Sequence, residues 1–162
     1  MTLVIIVAIA LALFGLAFVT KRRFGVLGLG LAAGAILAQS WSREAAHWLS
    51  DNHIPVQPLS HFTASTLLLI LLPALLLLIG GPKYTERKYA IIGSACFALL
   101  GTMLLIGPLT TDLPTADSSI HVALVFIARW QNVLIAVGIA LAIIDMLLAH
   151  GPKLPRRKHS KH

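Results

Sequence analysis

Charge is scarce in this chain of 162 residues, of which only 12% are charged and six are acidic. A soluble domain has about 25% charged and roughly 45–50% apolar residues. Here 57% are hydrophobic and the mean hydropathy is +0.86. This composition argues against an ordinary soluble domain and favours a protein solvated by lipid. Cysteine is scarcer still. Cys96 is the single cysteine of the chain, so an internal disulfide is excluded.

Catalytic and metal-binding patterns are also missing. The sequence contains neither H-E-x-x-H nor G-x-S-x-G, and its glycines do not complete a dinucleotide fingerprint after a strand. His47, His53 and His61 share a polar segment with Asp51, but their spacing matches no compact zinc motif. We therefore expect no enzyme activity, no cofactor and no metal. The net charge of +7 comes from basic residues that lie between or after the apolar runs. This placement indicates membrane topology and not nucleic-acid binding.

Long apolar runs are what the sequence has in abundance. About 20 apolar residues match a hydrocarbon layer of roughly 30 Å. The predicted fold is an all-α, polytopic transmembrane bundle of about five spans, occupying residues 1–150 and followed by a basic cytoplasmic tail at residues 151–162. The predicted spans are residues 2–19, 24–41, 62–80, 89–108 and 131–149. Because the last apolar stretch begins at Ile120, a tilted helix through most of it is an alternative.

Two segments beside the first spans are distinctive. Residues 21–23 are basic and follow the first run, whereas a signal peptide has its charge first, so we expect a retained helix. In the polar stretch that follows the second run, Trp41, Ala45, Trp48 and Leu49 fall on one helical face. This pattern predicts a short interfacial helix in the first outer loop, ended by the prolines at positions 55 and 58.

Basic residues alternate between the connections, and this alternation fixes the predicted orientation. Eleven of the thirteen Lys and Arg lie in alternate connections or the tail. Since short cytoplasmic loops are rich in Lys and Arg, we expect the N-terminus outside and the C-terminus inside a bacterial inner membrane. The tail is also expected to bind anionic lipid headgroups. The predicted cytoplasmic anchors are Lys21, Arg22, Arg23, Lys83, Arg87, Lys88, Arg156, Arg157 and Lys158.

Small residues recur at four-residue spacing in two runs, which lets helix backbones approach closely in lipid. The second run contains Gly30, Gly34 and Ala38, and the fourth contains Ala90, Ser94, Ala98 and Thr102. We favour packing within one chain over a seam between two copies.

The last run contains three polar residues that are candidates for function. Arg129 and Asn132 share a helix face, where they either line the path of a small oligomeric transporter or channel or lie at the outer interface. We favour the interface, with the guanidinium reaching lipid phosphate. Asp145 is sixteen residues further on, about 24 Å along a helix. We expect it to form an ion pair at the inner boundary with Lys21, Arg22, Lys83 or Arg87. The alternatives are a proton relay, or a transport path that Asp145 lines together with Arg129 and Asn132.

The first hairpin has Arg22-Arg23-Phe24-Gly25 at its turn and Gly28, Gly30 and Gly34 in its second run. In these features it resembles the colicin V production protein family of bacterial inner-membrane proteins. The short basic loop at residues 82–88 also fits the arrangement of helices and loops in that family. Phe24 precedes Gly25 here, whereas the family has the glycine first. The resemblance implies a non-enzymatic accessory role in envelope function or toxin production and export. An accessory or scaffold protein of this kind would pack against itself or another membrane protein.

Overall fold

The computed structural model describes residues 2–57, 59–80, 84, 87–112 and 118–149. These residues form five helices, so the predicted all-α class is confirmed. The helices are α1 (Thr2–Thr20), α2 (Phe24–Asp51), α3 (His61–Gly80), α4 (Arg87–Asp112) and α5 (Ser118–Ala149).

Four segments within these helices are long and apolar enough to cross a membrane: Phe24–Asp51, His61–Gly80, Lys88–Asp112 and Ile127–Leu148. The fifth apolar segment, Val4–Thr20 of α1, is shorter. The chain therefore has the composition and helix lengths of a membrane-embedded helical protein.

The prediction of a separate interfacial helix in the first outer loop is wrong. The helix α2 continues without interruption for 28 residues from Phe24 to Asp51. The physical reason is local, because residues 39–51 contain neither glycine nor proline and include the strong helix formers Arg43, Glu44 and Ala45. The polar segment therefore extends the apolar helix instead of folding beside it.

The end of α2 is set by backbone hydrogen bonds, before either predicted proline stop is reached. The N–H of His53 donates to the carbonyl of Ser50 at 3.0 Å, and that of Ile54 donates to Leu49 at 3.2 Å. His53 has a φ of 51°, the left-handed conformation. This pair of bonds around a left-handed residue is a Schellman motif, with histidine where glycine is usual.

The helix α5 is also longer than its predicted span of residues 131–149. It runs unbroken for 32 residues, from Ser118 through Arg129 and Asn132 to Ala149. The polar residues do not interrupt it, because arginine and glutamine are good helix formers and neither glycine nor proline stands beside them. The alternative of one helix through most of the stretch is therefore the one observed.

The helix α2 lies at the centre of the bundle. Its most extensive packing is against α3, and it also contacts α4 and α5, while α1 packs mainly on α4. The largest fully buried apolar side chains belong to α2 and α4; they are Leu27, Leu31, Phe97, Leu100 and Leu105.

Glycine at position 34 allows the close approach of α2 and α3. A Cβ added there would lie 2.8 Å from the carbonyl oxygen of Leu69 and 2.8 Å from the carbonyl carbon of Ile70. Leu69 is four residues before Pro73, which lies inside α3 and has no N–H to donate to that oxygen. The carbonyl oxygen of Ile70 would be closer still to that Cβ, so only glycine fits at this contact.

Hydrogen bonds define the two ends of the bundle. At one end, called here the Lys21 end, the α1–α2 turn meets Tyr84 and the last turn of α3. At the other, the Asp112 end, the N–H of Ser60 donates to the carboxylate of Asp112 at 2.6 Å. Ser60 also caps α3, since its hydroxyl accepts from the N–H of Thr63 at 3.2 Å. Successive helices therefore alternate in direction.

Candidate functional site

The α1–α2 turn at the Lys21 end begins a junction of polar groups. Lys21 has a φ of 50°, which reverses the chain in a very short connection. Its carbonyl accepts a hydrogen bond from the N–H of Tyr84 at 2.8 Å. The α3–α4 connection is thereby attached to the α1–α2 turn.

Arg22 caps the neighbouring helix α3. Its Nε donates to the carbonyl of Leu78 at 2.8 Å, and its terminal nitrogen donates to that of Ile79 at 2.6 Å. The last carbonyls of a helix have no intrahelical donor and carry the negative end of the helix dipole. A guanidinium satisfies both requirements, so this predicted anchor also contributes to tertiary structure.

Asp145 of α5 accepts a hydrogen bond from a backbone N–H in the first turn of α2. The residue before α2, Arg23, makes no side-chain capping bond, and the N–H of Gly25 instead donates to Oδ2 of Asp145 at 2.8 Å. The other carboxylate oxygen lies 3.6 Å from a terminal nitrogen of Arg23. Asp145 therefore forms an ion pair, and among the described side chains its partner is Arg23 and neither Lys21 nor Arg22; the side chains of Lys83 and Arg87 lie outside the described part.

The short distance between α2 and α5 depends on Gly25. A Cβ at this position would lie 2.6 Å from the carbonyl oxygen of Ala142 and 2.8 Å from the backbone nitrogen of Met146. These are backbone atoms and cannot move aside independently. The glycine thus lets the carboxylate of Asp145 reach the first turn of α2, where the helix dipole favours a negative charge.

Tyr84 joins the remaining parts of the junction. Its phenol oxygen accepts the N–H of Phe24 at 3.1 Å, and the guanidinium carbon of Arg23 lies 5.5 Å from its ring centre. Burial raises the pKa of the Tyr84 phenol above its usual range, and the negative charge of Asp145 raises it further. The phenol therefore keeps its proton at neutral pH.

This junction fastens helix ends together and has the geometry of a structural clamp. Arg22 holds α3, Tyr84 holds the α3–α4 connection, and Asp145 holds α5, all against the start of α2. Each functional group is engaged by another, except that the Nε of Arg23 is buried without a hydrogen-bond partner among the described residues.

The other two polar candidates of the last run lie on the surface. Arg129 and Asn132 are both exposed on α5, and neither lines the groove between α2, α3 and α4 or the one around Tyr84 and Asp145. The intervening Gln131 points inward instead, and its amide nitrogen donates to the carbonyl of Met103 in α4 at 2.8 Å. Within one chain, the exposed side chains of Arg129 and Asn132 therefore do not face the buried core.

The two stripes of small residues face the interior of this chain. Gly30 lies against α3, where a Cβ would be 3.1 Å from the Cα of Ala74, and Gly34 lies next to Ile70 as described above. Ala38, Ala90, Ser94, Ala98 and Thr102 are all buried. The stripes therefore serve packing between helices of one chain.

The remaining predicted residues are not gathered into a site. Among the described residues, no group of three or more His, Cys, Asp or Glu side chains is placed to hold a metal. Lys21 and Lys88 lie at the Lys21 end. Lys83, Arg156, Arg157, Lys158 and the tail of residues 151–162 lie outside the described residues, and Arg87 is described only by its backbone.

Sequence reasoning missed Tyr84, Gln131 and the pairing of Ser60 with Asp112. Ser60 was recoverable, because a serine directly before an apolar run is a common N-cap. Nothing in the sequence indicated a structural role for Tyr84, since a tyrosine is common in a short basic loop. Comparisons with protein-family models, with curated proteins and with solved structures found no match.

Proposed function

We propose that this protein is a five-span accessory protein of a bacterial inner membrane that binds a helix of another membrane protein, or of a second copy, through α5. It would act as a scaffold, without chemistry of its own. The observation that carries this proposal is the position of Asn132, a polar side chain that is exposed within the long apolar window of α5.

The helix α5 is covered much less by its own chain than α2, α3 or α4. In its apolar window 11% of residues are buried, against 33% in α3 and 50% in α4. Only Gly138 and Ala142 are buried among residues 127–148. Lipid alone can cover an apolar face, so exposure by itself does not require a partner.

The depth of Asn132 supports a protein partner. Thirteen residues separate it from Asp145, about 20 Å along α5. Since Asp145 lies with the basic turn at one boundary of a layer roughly 30 Å thick, Asn132 would be well inside the hydrocarbon. An amide exposed to lipid at this depth is unfavourable, and helices in membranes commonly bury such groups against one another. Arg129 lies one turn further out, where its guanidinium would reach the headgroups.

Two features support five spans with the predicted orientation. The 19 residues of α1 extend about 28 Å, nearly the full hydrocarbon thickness. Lys21, Arg22, Arg23 and Lys88 lie at one end of the bundle, whereas the other end holds the single cation Arg43 among the described residues 24–51 and 87–112 beside Glu44, Asp51 and Asp112. Cytoplasmic loops are enriched in Lys and Arg, so the Lys21 end is assigned to the cytoplasm.

The resemblance of the first hairpin to the colicin V production protein family suggests the physiological setting. By that analogy the accessory role belongs to envelope function or to toxin production and export. This part of the proposal rests on Arg22, Arg23, Phe24 and Gly25 at the turn and on the glycines that follow.

A photoreactive amino acid at position 132 tests the partner surface. Leu68 is the matched control, because it is 55% exposed and lies at similar depth on α3. Irradiation of intact membranes should yield a protein adduct from position 132 and only lipid adducts from position 68. An adduct of twice the chain mass would identify a second copy. Equal yields from both positions would contradict the proposal.

Orientation is tested by single cysteines in a Cys96→Ala background. A membrane-impermeant maleimide applied to intact cells should label Asn52→Cys and leave Lys88→Cys unlabelled until the cells are opened. The reverse pattern would overturn the orientation, and recovery of the chain in the soluble fraction would overturn membrane embedding.

A further inference from the structure

A groove of about 350 Å³ lies between α2, α3 and α4 toward the Asp112 end. Its floor is apolar and includes Ala35, Ile70 and Leu104. One side carries Gln39, Ser42 and Arg43, which share a face of α2 because they are three and four residues apart. The groove is therefore amphipathic, with an apolar channel beside a polar and cationic rim.

The hydroxyl of Ser42 is available to hydrogen-bond a ligand at this rim. Six serine and threonine residues are buried in the described part of the chain, and five of them make hydrogen bonds, such as Thr66 to the carbonyl of Phe62 at 2.8 Å. Ser42 is only 7% exposed and has no partner among the described residues. A serine inside a helix ordinarily bonds to the carbonyl four residues earlier, and Ser42 does not.

Arg43 provides the charge at the same rim. Within the described ranges no carboxylate pairs with it, since Glu44 points about 100° away around the helix and Asp112 accepts from Ser60. Arg43 is nineteen residues from Phe24, about 28 Å along α2. Because the hydrocarbon layer is roughly 30 Å thick, the guanidinium lies at the level of the headgroups opposite the Lys21 end.

We propose that this groove is a binding site for an anionic glycerophospholipid of the outer leaflet. The phosphodiester would accept hydrogen bonds from Arg43, a group whose planar donors match phosphate. Ser42 and Gln39 would bond the glycerol and ester oxygens, and one acyl chain would lie along Ala35 and Leu104. The inference rests on the membrane embedding and the orientation proposed above, but it is independent of any protein partner of α5.

The test is lipid retention by the purified full-length chain, measured by native mass spectrometry and by thermal stabilisation on titration with phosphatidylglycerol. The diagnostic variant is Arg43→Gln, and the matched control is Arg129→Gln, an exposed arginine outside the groove. Loss of a charged hydrogen bond should weaken phosphatidylglycerol binding in Arg43→Gln by about tenfold or more, while Arg129→Gln retains wild-type affinity. An equal loss in both variants would mean non-specific electrostatics and would overturn the proposal.

A second variant tests the apolar half of the site. Ala35→Phe fills the groove without changing charge, and Ala35 is only partly buried, so the bundle has room to accept it. This variant should lose phosphatidylglycerol retention while keeping the melting temperature of the lipid-free protein. If it melts earlier, Gln39→Leu replaces it and should weaken binding severalfold. Inorganic phosphate should not compete, because the acyl chain contributes to binding, and effective competition would assign the rim to free phosphate instead.

The outcome separates this site from the proposed function. If the chain stays in the membrane fraction and position 132 still forms its protein adduct, failure to retain phosphatidylglycerol overturns only the lipid site. Recovery of the chain without detergent would overturn both.

Discussion

The helices α2 and α5 have similar lengths but opposite relations to the bundle. Of the residues in its apolar window, 44% are buried in α2 and 11% in α5. The difference follows from the distribution of small residues. Glycines on two sides of α2 admit neighbouring backbones, with Gly25 against α5 and Gly34 against α3, whereas only Gly138 and Ala142 are buried among residues 127–148 of α5. The central helix is held by backbone contact along its length, and the peripheral one by a few polar bonds and two small residues.

The contact between α2 and α3 should be the most sensitive to a single methyl group. In Gly34→Ala the added Cβ meets the backbone of Leu69 and Ile70, which cannot rotate away, so α3 must move. We expect a loss of about 3 kcal/mol of stability, measured by thermal or denaturant unfolding in mild detergent.

Gly15→Ala is the control for this substitution. Nothing lies within 4 Å of a Cβ at position 15, so its stability should stay within about 0.5 kcal/mol of wild type. Equal destabilisation by the two substitutions would show that the tight contact with α3 is not the cause.

The attachment of α5 should be the next most sensitive feature. Asp145→Leu removes both the acceptor for Gly25 and the charge beside Arg23, and it should cost about 2 kcal/mol. This is less than the roughly 3–5 kcal/mol for breaking a fully buried pair, because the two side chains are 21% and 23% exposed.

Asp145→Asn separates the two contributions, since it removes the charge and keeps an oxygen for Gly25. It should cost about half as much as Asp145→Leu. Adding Arg23→Met to Asp145→Leu should recover part of the loss, because the unpaired cation is then gone. Additive losses in the double variant would show that the two residues are not coupled.

A single hydrogen bond near the middle of α5 provides a smaller test. Gln131→Leu removes the bond to the carbonyl of Met103 and should destabilise the isolated protein by about 1 kcal/mol. Asn132→Leu should leave unfolding unchanged, because Asn132 is exposed in the isolated chain. If the two substitutions have the same effect on the melting temperature, the assignment of an inward and an outward side of α5 is wrong.

The sequence predicted the class of fold and the packing role of Gly30 and Gly34, because apolar run length and residue size act locally and leave a direct pattern. It did not predict that Asp145 pairs with Arg23, since which of several cations reaches a carboxylate depends on helix rotation and on the close approach at Gly25. Helix ends were missed for a related reason. The two prolines that follow α2 are a recognisable stop signal in the sequence. The Schellman motif at His53 is not, because it requires a left-handed conformation that a histidine does not predict.

His53→Gly should give the smallest change, and in the opposite direction. The left-handed conformation of His53, with a φ of 51°, costs an L-residue roughly 1 kcal/mol that glycine does not incur. Glycine also loses more entropy on folding, so the net gain should be about 0.5 kcal/mol, detectable as a slightly higher melting temperature. His53→Val is the matched test, because a β-branched side chain is disfavoured in this conformation and should destabilise the chain. A gain confined to His53→Gly would show that the polar extension of α2 beyond its apolar part is cooperatively folded with the bundle. No change in either variant would show that this last turn of α2 unfolds independently, making even the central helix loosely held at its outer end.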